Sequence, residues 1–449
     1  MEKDMTHGSP WKLILTFAIP LVIGNIFQQF YNMVDSIIVG KYVGKTALAA
    51  VGSTGSLNFM IIGFGIGICS GFGIPIAQSF GAKKIKDMKC YIRHSFYLGT
   101  IITIIMTVLT VLALPSILHI MQTPADIYDQ AYSYIVIIFL GLFATMIYNM
   151  LSSMLRAIGD SKTPLYFLIL SSIINIVLDL LFITQFKLGA SGAAYATVIA
   201  QLVSGIACFV YMKKKTDFLN FESDEKTFQK NYAMKLLHMG VPMALQFSIT
   251  AIGSVVIQSA VNTLGSDVVA AVTAAIKISI MLNQPLETLG LTMATYGGQN
   301  LGAQKIERIF KGVKVSYIMG AIYCIVALAF VYFTSDYLAL LFIDASETLI
   351  ISEIKQYLVI NAMFYYVLSI LFILRNLLQG LGYSFYAMFG GVAEMIARCL
   401  IAFCFVGTFG FQAICFANPL AWLFADIVFV SVWLIKKKEL KVQIKSSIS

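Results

Sequence analysis

Charged residues are scarce in this 449-residue sequence. Asp, Glu, Lys and Arg together supply 12% of it, about half the share usual in soluble globular proteins. Hydrophobic residues supply 59%, and the mean hydropathy is +0.84. A soluble fold has too little interior to hide that much apolar surface, so a soluble protein is excluded. Histidine is rarer still, with His7, His94, His119 and His238 scattered singly. HExxH, G-x-S-x-G and Walker A patterns are all missing, which removes the metalloprotease, α/β-hydrolase and P-loop readings. The seven cysteines form no CxxC pair, and six lie in apolar stretches, where they read as small packing residues. No enzyme activity, resident metal or cofactor is expected.

What the sequence does contain is a succession of apolar stretches, each about 20 residues or longer and so long enough to cross a bilayer. Twelve spans are read, near 13–38, 50–79, 91–114, 130–154, 164–186, 190–211, 236–261, 268–298, 315–334, 356–379, 384–406 and 413–435. Their loops divide the 31 Lys and Arg unequally: 25 fall on the side of the two termini, four (Lys41, Lys45, Lys187 and Lys355) on the other, and Lys277 and Arg398 within spans. Positive charge is retained on the cytoplasmic side, so both termini are read as cytoplasmic. A miscounted span would scramble the alternation. The net charge of +9 therefore reflects membrane topology, and no nucleic-acid partner is expected. The first span is too long for the apolar core of a signal peptide, and no small-residue cleavage site follows it.

The sequence repeats itself. QSFGAKKIK (Gln78 to Lys86) follows span 2 and QNLGAQKIE (Gln299 to Glu307) follows span 8, an offset of 221. Pro20 answers to Pro242, Gly44 with Ala49 and Ala50 to Gly265 with Ala270 and Ala271, and LRAIGDS (Leu155 to Ser161) to LQGLGYS (Leu378 to Ser384). Four landmarks in register indicate a duplication into two halves of six spans. Six is even, so the halves are parallel repeats, an arrangement used by secondary transporters with a cavity between the repeats. The expected domains are residues 1–212, a solvated cytoplasmic linker at 213–232, and residues 233–449. The glycine-rich GFGIGICSGFG (Gly63 to Gly73) sits inside span 2, where glycine serves close helix packing rather than phosphate binding.

Polar residues inside spans are costly, about 2.5–3.5 kcal/mol for an Asp at a helix centre, and so mark candidate function. Span 1 reads PLVIGNIFQQFYNMVDSIIVG from Pro20 to Gly40, and Gln28, Asn32 and Asp35 share one helical face. In span 5, Asn175 and Asp179 are one turn apart and offer oxygens to a proton or a small cation. Thr197 lies in span 6 among small residues, GASGAAYATVIA, that permit close approach. In the second half Glu394 and Arg398 are spaced as an i,i+4 ion pair. Lys277 and Glu287 are ten residues apart in span 8, about 15 Å along a helix and too far to pair. Asp426 has no partner legible in the sequence.

In these features the chain resembles the multidrug and toxic compound extrusion (MATE) family over its whole length. The resemblance rests on the two sets of six spans, NMVDSIIVG at the end of span 1, the repeated Q-x-x-G-A and NIVLD in span 5. It implies an all-α polytopic protein of two pseudo-symmetric six-helix lobes in a V. It also implies export of amphipathic, often cationic compounds against inward movement of protons or sodium. The spacings are most similar to the DinF-like branch, which implies a cation site in the first half at Asp35, Asn175, Asp179 and Thr197 and a bend at Pro20. The NorM-like branch has an acid in span 7 shortly after its proline. Here Pro242 is followed by MALQFSITAIGS with none. Glu394, Arg398, Lys277 and Glu287 are kept as an alternative element of the second half.

Substrate contacts are expected from Gln28, Tyr31, Asn58, Phe59, Met60, Met281, Asn283 and Gln284, although core packing explains Met60 and Met281 equally well. The expected partners are drug-like small molecules and the lipid bilayer, with the chain acting as a monomer. Short loops and Lys/Ile-rich usage point to a bacterial plasma membrane. A lipid-linked precursor flippase of the related polysaccharide-exporter kind is the alternative. It calls for cavity Arg or Lys, for which only Lys277 and Arg398 are available. A non-transporting membrane receptor or scaffold is the third reading, and it needs no paired carboxylates beside a proline.

Overall fold

A chain this apolar must satisfy its backbone hydrogen bonds internally, and helices do so within each segment. The computed structural model describes residues 4–121, 123–221 and 227–448, and among them there is no strand. In the first half, α1 is Pro10–Tyr42, α2 runs as Lys45–Ser53 and then Gly55–Gly81, and α3 is Ile85–Ile120. α4 is Ala125–Leu140 followed by Leu142–Ala157, bent by 47°. α5 is Lys162–Leu180 continued by a π-helical turn, Leu181–Gln185, and α6 is Gly189–Lys215. In the second half, α7 is Lys230–Asn262, α8 is Ser266–Gly302 and α9 is Ile306–Ala339. α10 is Thr348–Met363 followed by Tyr365–Gly380, bent by 52°. α11 is Ser384–Leu400, a π-helical turn Ile401–Phe405 and Val406–Phe409, and α12 is Phe411–Ile448. Ten of these are long and apolar enough to cross a membrane singly, and the two bent pairs bring the count to twelve, as the spans predict.

The backbone carries the repeat as well. Lys83 and Gln304 both adopt φ of 58°, Gly44 and Gly265 have φ of 114° and 99°, and Gly189 and Gly410 have φ of 60° and 54°. The bends of α4 and α10 and the π-helical turns of α5 and α11 recur in the same way. The helices named here thus keep their local irregularities, which the sequence motifs alone do not reveal.

By proximity the chain forms two compact units. Unit 1 contains Ile19–Ala244, and unit 2 contains Met5–Ala18 together with the chain from Leu245 onward. α1 changes unit one residue before Pro20, and α7 changes two residues after Pro242. Repeat and proximity therefore divide the chain at different places. In unit 2 the segment before α1 is held by the repeated motif. Gln299 Oε1 accepts the Met5 N–H at 2.9 Å, Lys305 Nζ donates to the Thr6 carbonyl at 2.9 Å, and Arg308 donates to Gly8 O at 2.9 Å. In unit 1 the segment before α7 is tied to α3: the Gln229 N–H donates to His94 Nε2 at 2.8 Å and the Tyr232 hydroxyl to Asp87 Oδ1 at 2.7 Å. The expected solvated linker is thus anchored. Lys213–Lys215 continue α6 and Phe218 is buried, while residues 222–226 lie outside the described residues.

Inside unit 1 the glycines of α2 serve packing, as read from the sequence. A Cβ at Gly67 would stand 2.6 Å from the Ala244 Cα, and one at Gly71 would stand 2.5 Å from the Gly240 Cα, so α2 and α7 meet backbone to backbone. Overpacking a tight contact costs about 1–3 kcal/mol. Gly71→Ala is therefore expected to lower the melting temperature of the detergent-purified protein. Gly55→Ala, where a Cβ meets nothing within 4 Å, is expected to leave it unchanged.

Candidate functional site

Asn175 and Asp179 are one turn apart on α5, and both are buried, Asp179 completely. The Asn175 amide donates to Thr197 Oγ1 on α6 at 3.3 Å. Asp35, entering from α1, stands within hydrogen-bonding reach of the Asp179 carboxyl. All four residues predicted for the first-half site therefore meet inside unit 1. Asp179 lies two residues before the π-helical turn of α5, an irregularity that is frequent at functional sites.

The chemistry of the cluster follows from what each group can donate. An ionised carboxylate only accepts hydrogen bonds. Asp35 Oδ1, both carboxyl oxygens of Asp179 and Asn175 Oδ1 are buried and receive no donor. Two acids that face each other cannot satisfy each other unless a positive charge lies between them. The Tyr31 hydroxyl stands near both carboxyls and beside the side chains of Gln28 and Gln201, and Tyr134 of α4 stands near both as well. Gln201 and Tyr134 were not predicted. Thr197, Gln201 and Ser204 follow i, i+4, i+7 spacing on α6, so the Gln201 signal was present. Tyr134 carries no such periodicity.

The second half is built differently. Glu394 and Arg398 form the ion pair expected from their spacing, at 3.4 Å, and both are buried. Arg375 of α10 stands near Glu394 and near Glu287 of α8, so Glu287 has an arginine neighbour that its own helix does not supply. Asp426 of α12 lies near Glu394 and near the Tyr317 hydroxyl of α9. Lys277 is exposed, its ammonium 6.0 Å from the centre of the Phe342 ring.

The residues expected to touch substrate fall in both units. Gln28 and Tyr31 border the acid pair. Phe59 is exposed, whereas Met60 packs against the core formed by Ile38, Leu57, Leu114 and Phe139, as the packing reading has it. Asn58 and Asn283 each keep a buried amide oxygen without a donor. Gln284 is buried and Met281 is 36% exposed.

A helical bundle of twelve membrane-crossing elements, built twice over from one unit and carrying an acid pair in its first half, defines the class as multi-pass membrane transporters. Comparison makes the assignment specific. The MatE family model matches residues 20–181 and 242–404, once in each half. The probable multidrug resistance protein YoeA of Bacillus subtilis is 30% identical over 368 residues, covering 79% of this chain and 78% of that protein. The probable multidrug resistance protein YpnP of the same organism is 27% identical, covering 84% of each. A solved multidrug resistance MATE family transporter of the MOP superfamily, in an outward-facing conformation, superposes with a TM-score of 0.91 at 23% identity, covering 98% of each chain. The chain belongs to the MATE family.

The buried ion pair makes a test of its own. Removing one partner of such a pair costs about 3–5 kcal/mol, because the other charge is left uncompensated, whereas removing both is far milder. Arg398→Met is expected to lower the melting temperature sharply, and the double substitution Glu394→Gln, Arg398→Met to recover most of the loss.

Proposed function

We propose that the protein is a secondary active exporter of amphipathic, often cationic drugs, driven by inward movement of protons or sodium through the Asp35–Asp179 pair. The observation that carries this reading is the meeting of the buried Asp179 carboxyl with Asp35, three of whose four oxygens together are buried and receive no donor. The names of YoeA and YpnP, both probable multidrug resistance proteins, support drugs as the cargo. The cavity of the first half opens outward, and the acid pair takes up one positive charge. Neutralising the pair removes the cost of drying the cavity, because an isolated buried carboxylate is far more expensive than a neutral or cation-bound one. α1 then bends at Pro20, where a backbone hydrogen bond is already missing, and the drug is displaced outward. The lobes rock inward, release the cation and reload.

The energetics suffice without ATP. One charge moving down 100 mV yields about 2.3 kcal/mol, and a tenfold concentration gradient adds about 1.4 kcal/mol. A one-to-one exchange with neutral drug then sustains a drug gradient of several hundred-fold. Asn175 and Thr197 supply neutral oxygens around the charge, and Tyr31 and Gln28 link the pair to the drug. The site is of the DinF-like kind, and the absence of an acid after Pro242 supports it. With both termini cytoplasmic, the chain resides in a bacterial plasma membrane. A flippase is the weaker reading, because Arg375 and Arg398 already face acids.

The test is ethidium efflux from drug-sensitive cells and inside-out vesicles, with proton and sodium gradients imposed separately. Wild type is expected to transport under one of the gradients. Asp35→Asn and Asp179→Asn are each expected to reduce that transport at least about tenfold at equal expression, the effect of losing about 1.4 kcal/mol of coupling. Transport surviving both substitutions would overturn the assignment.

A further inference from the structure

The buried polar positions of the two halves correspond. Asn175 and Asp179 precede the π-helical turn of α5, and Glu394 and Arg398, 219 residues later, precede that of α11. Each half thus has an i,i+4 polar pair close to the same irregularity, one residue further from it in the second half and with different charges. In the first half the pair meets an acid from α1. In the second half the corresponding cluster is drawn from five helices, with Glu287 on α8, Tyr317 on α9, Arg375 on α10, Glu394 and Arg398 on α11 and Asp426 on α12.

The charges of this cluster do not balance. Two arginines stand among three acids. Arg398 holds Glu394 at 3.4 Å, and Arg375 stands near both Glu394 and Glu287. Asp426 is the acid left over. It is 8% exposed, its Oδ1 is buried without a donor, and its charged neighbour is another acid, Glu394. Glu394 keeps Oε1, and Arg398 keeps Nη1, buried and unpartnered. Lys277 stands against Phe342, and the neighbouring tyrosines, Tyr317, Tyr357 and Tyr366, carry no positive charge. Three acids against two arginines leave the cluster one positive charge short.

We propose that Asp426 and Glu394 form a second acid pair, within unit 2, that takes up one positive charge, either a proton or a monovalent metal cation, independently of Asp35 and Asp179. Arg398 fixes the Glu394 carboxylate, and Asp426 supplies the free valence. Uptake is simple association of the cation with the carboxylates, with no bond broken. The site does not require the first-half pair to couple transport, and two independent sites allow two charges to move per cycle.

The experiment counts cations on purified protein without drug. Proton uptake is read after an acidifying pH jump in weakly buffered detergent solution with a pH indicator dye, and sodium by equilibrium binding of radioactive sodium. The Asp35→Asn, Asp179→Asn double variant isolates the second half. It is expected to take up one more proton, or bind one more sodium ion, per chain than the same protein with Asp426→Asn added. Asp426→Glu in the double background is expected to restore that difference. Equal uptake of both cations by the double and triple variants would overturn the proposal. Should Asp426→Asn not yield folded protein, Asp426→Ser in the double background keeps the test. It removes the same acid and leaves the Glu394–Arg398 pair intact, so the same loss is expected, and unchanged uptake overturns the proposal.

Discussion

An ionised carboxylate accepts hydrogen bonds and donates none, and this single asymmetry governs the first half of the protein. Asp35 and Asp179 meet in a place where three of their four oxygens receive no donor. Everything around them serves to hold that meeting. α5 delivers Asp179 fully buried just before a π-helical turn, α6 approaches closely through Ala193, Ala194 and Ala196 and presents Thr197, and α1 brings Asp35 with Tyr31 and Gln28 beside it, while Asn32 of the same stripe is exposed. In the proposed cycle the acids oppose closure of the first half while no positive charge lies between them, and favour it once one does. A carrier needs a state variable of that kind.

Duplication explains the frame around this pair. The prolines of α1 and α7, the bends of α4 and α10, the π-helical turns of α5 and α11 and the left-handed backbone of Lys83 and Gln304 all recur. What does not recur is the charge. The first half opposes acid to acid, while the second opposes acid to arginine and leaves one acid over. Gln299 of the repeated Q-x-x-G-A motif also has a concrete task in unit 2, where with Lys305 and Arg308, which follow the motif, it holds the segment that leads into α1.

Much of this was legible in the sequence, for identifiable reasons. Twelve apolar stretches with their lysines on one side leave little freedom in topology, because each charge reports the side of its loop. Asn175 and Asp179, and Glu394 and Arg398, are one helical turn apart, so their neighbourhood follows from helix geometry alone. Gln201 was equally legible from its spacing to Thr197. Tyr134 and Arg375 were not, because they reach their clusters from helices with no polar periodicity, and only tertiary packing brings them in. The anchoring of the linker was hidden too: Gln229 and Tyr232 are fastened to His94 and Asp87 by contacts across more than 130 residues. Asp426 lacked a partner in the sequence, and in the structure its charged neighbour is an acid.

Antiport requires that drug and cation weaken each other's binding, and that coupling is reciprocal. The most direct measurement is therefore cation release from purified wild-type protein on addition of ethidium, followed with a pH indicator in weak buffer and with pre-bound radioactive sodium. Release of one of the two cations, saturating with drug binding and abolished by Asp179→Asn, is the result predicted here. Saturable ethidium binding that releases neither cation would contradict the account.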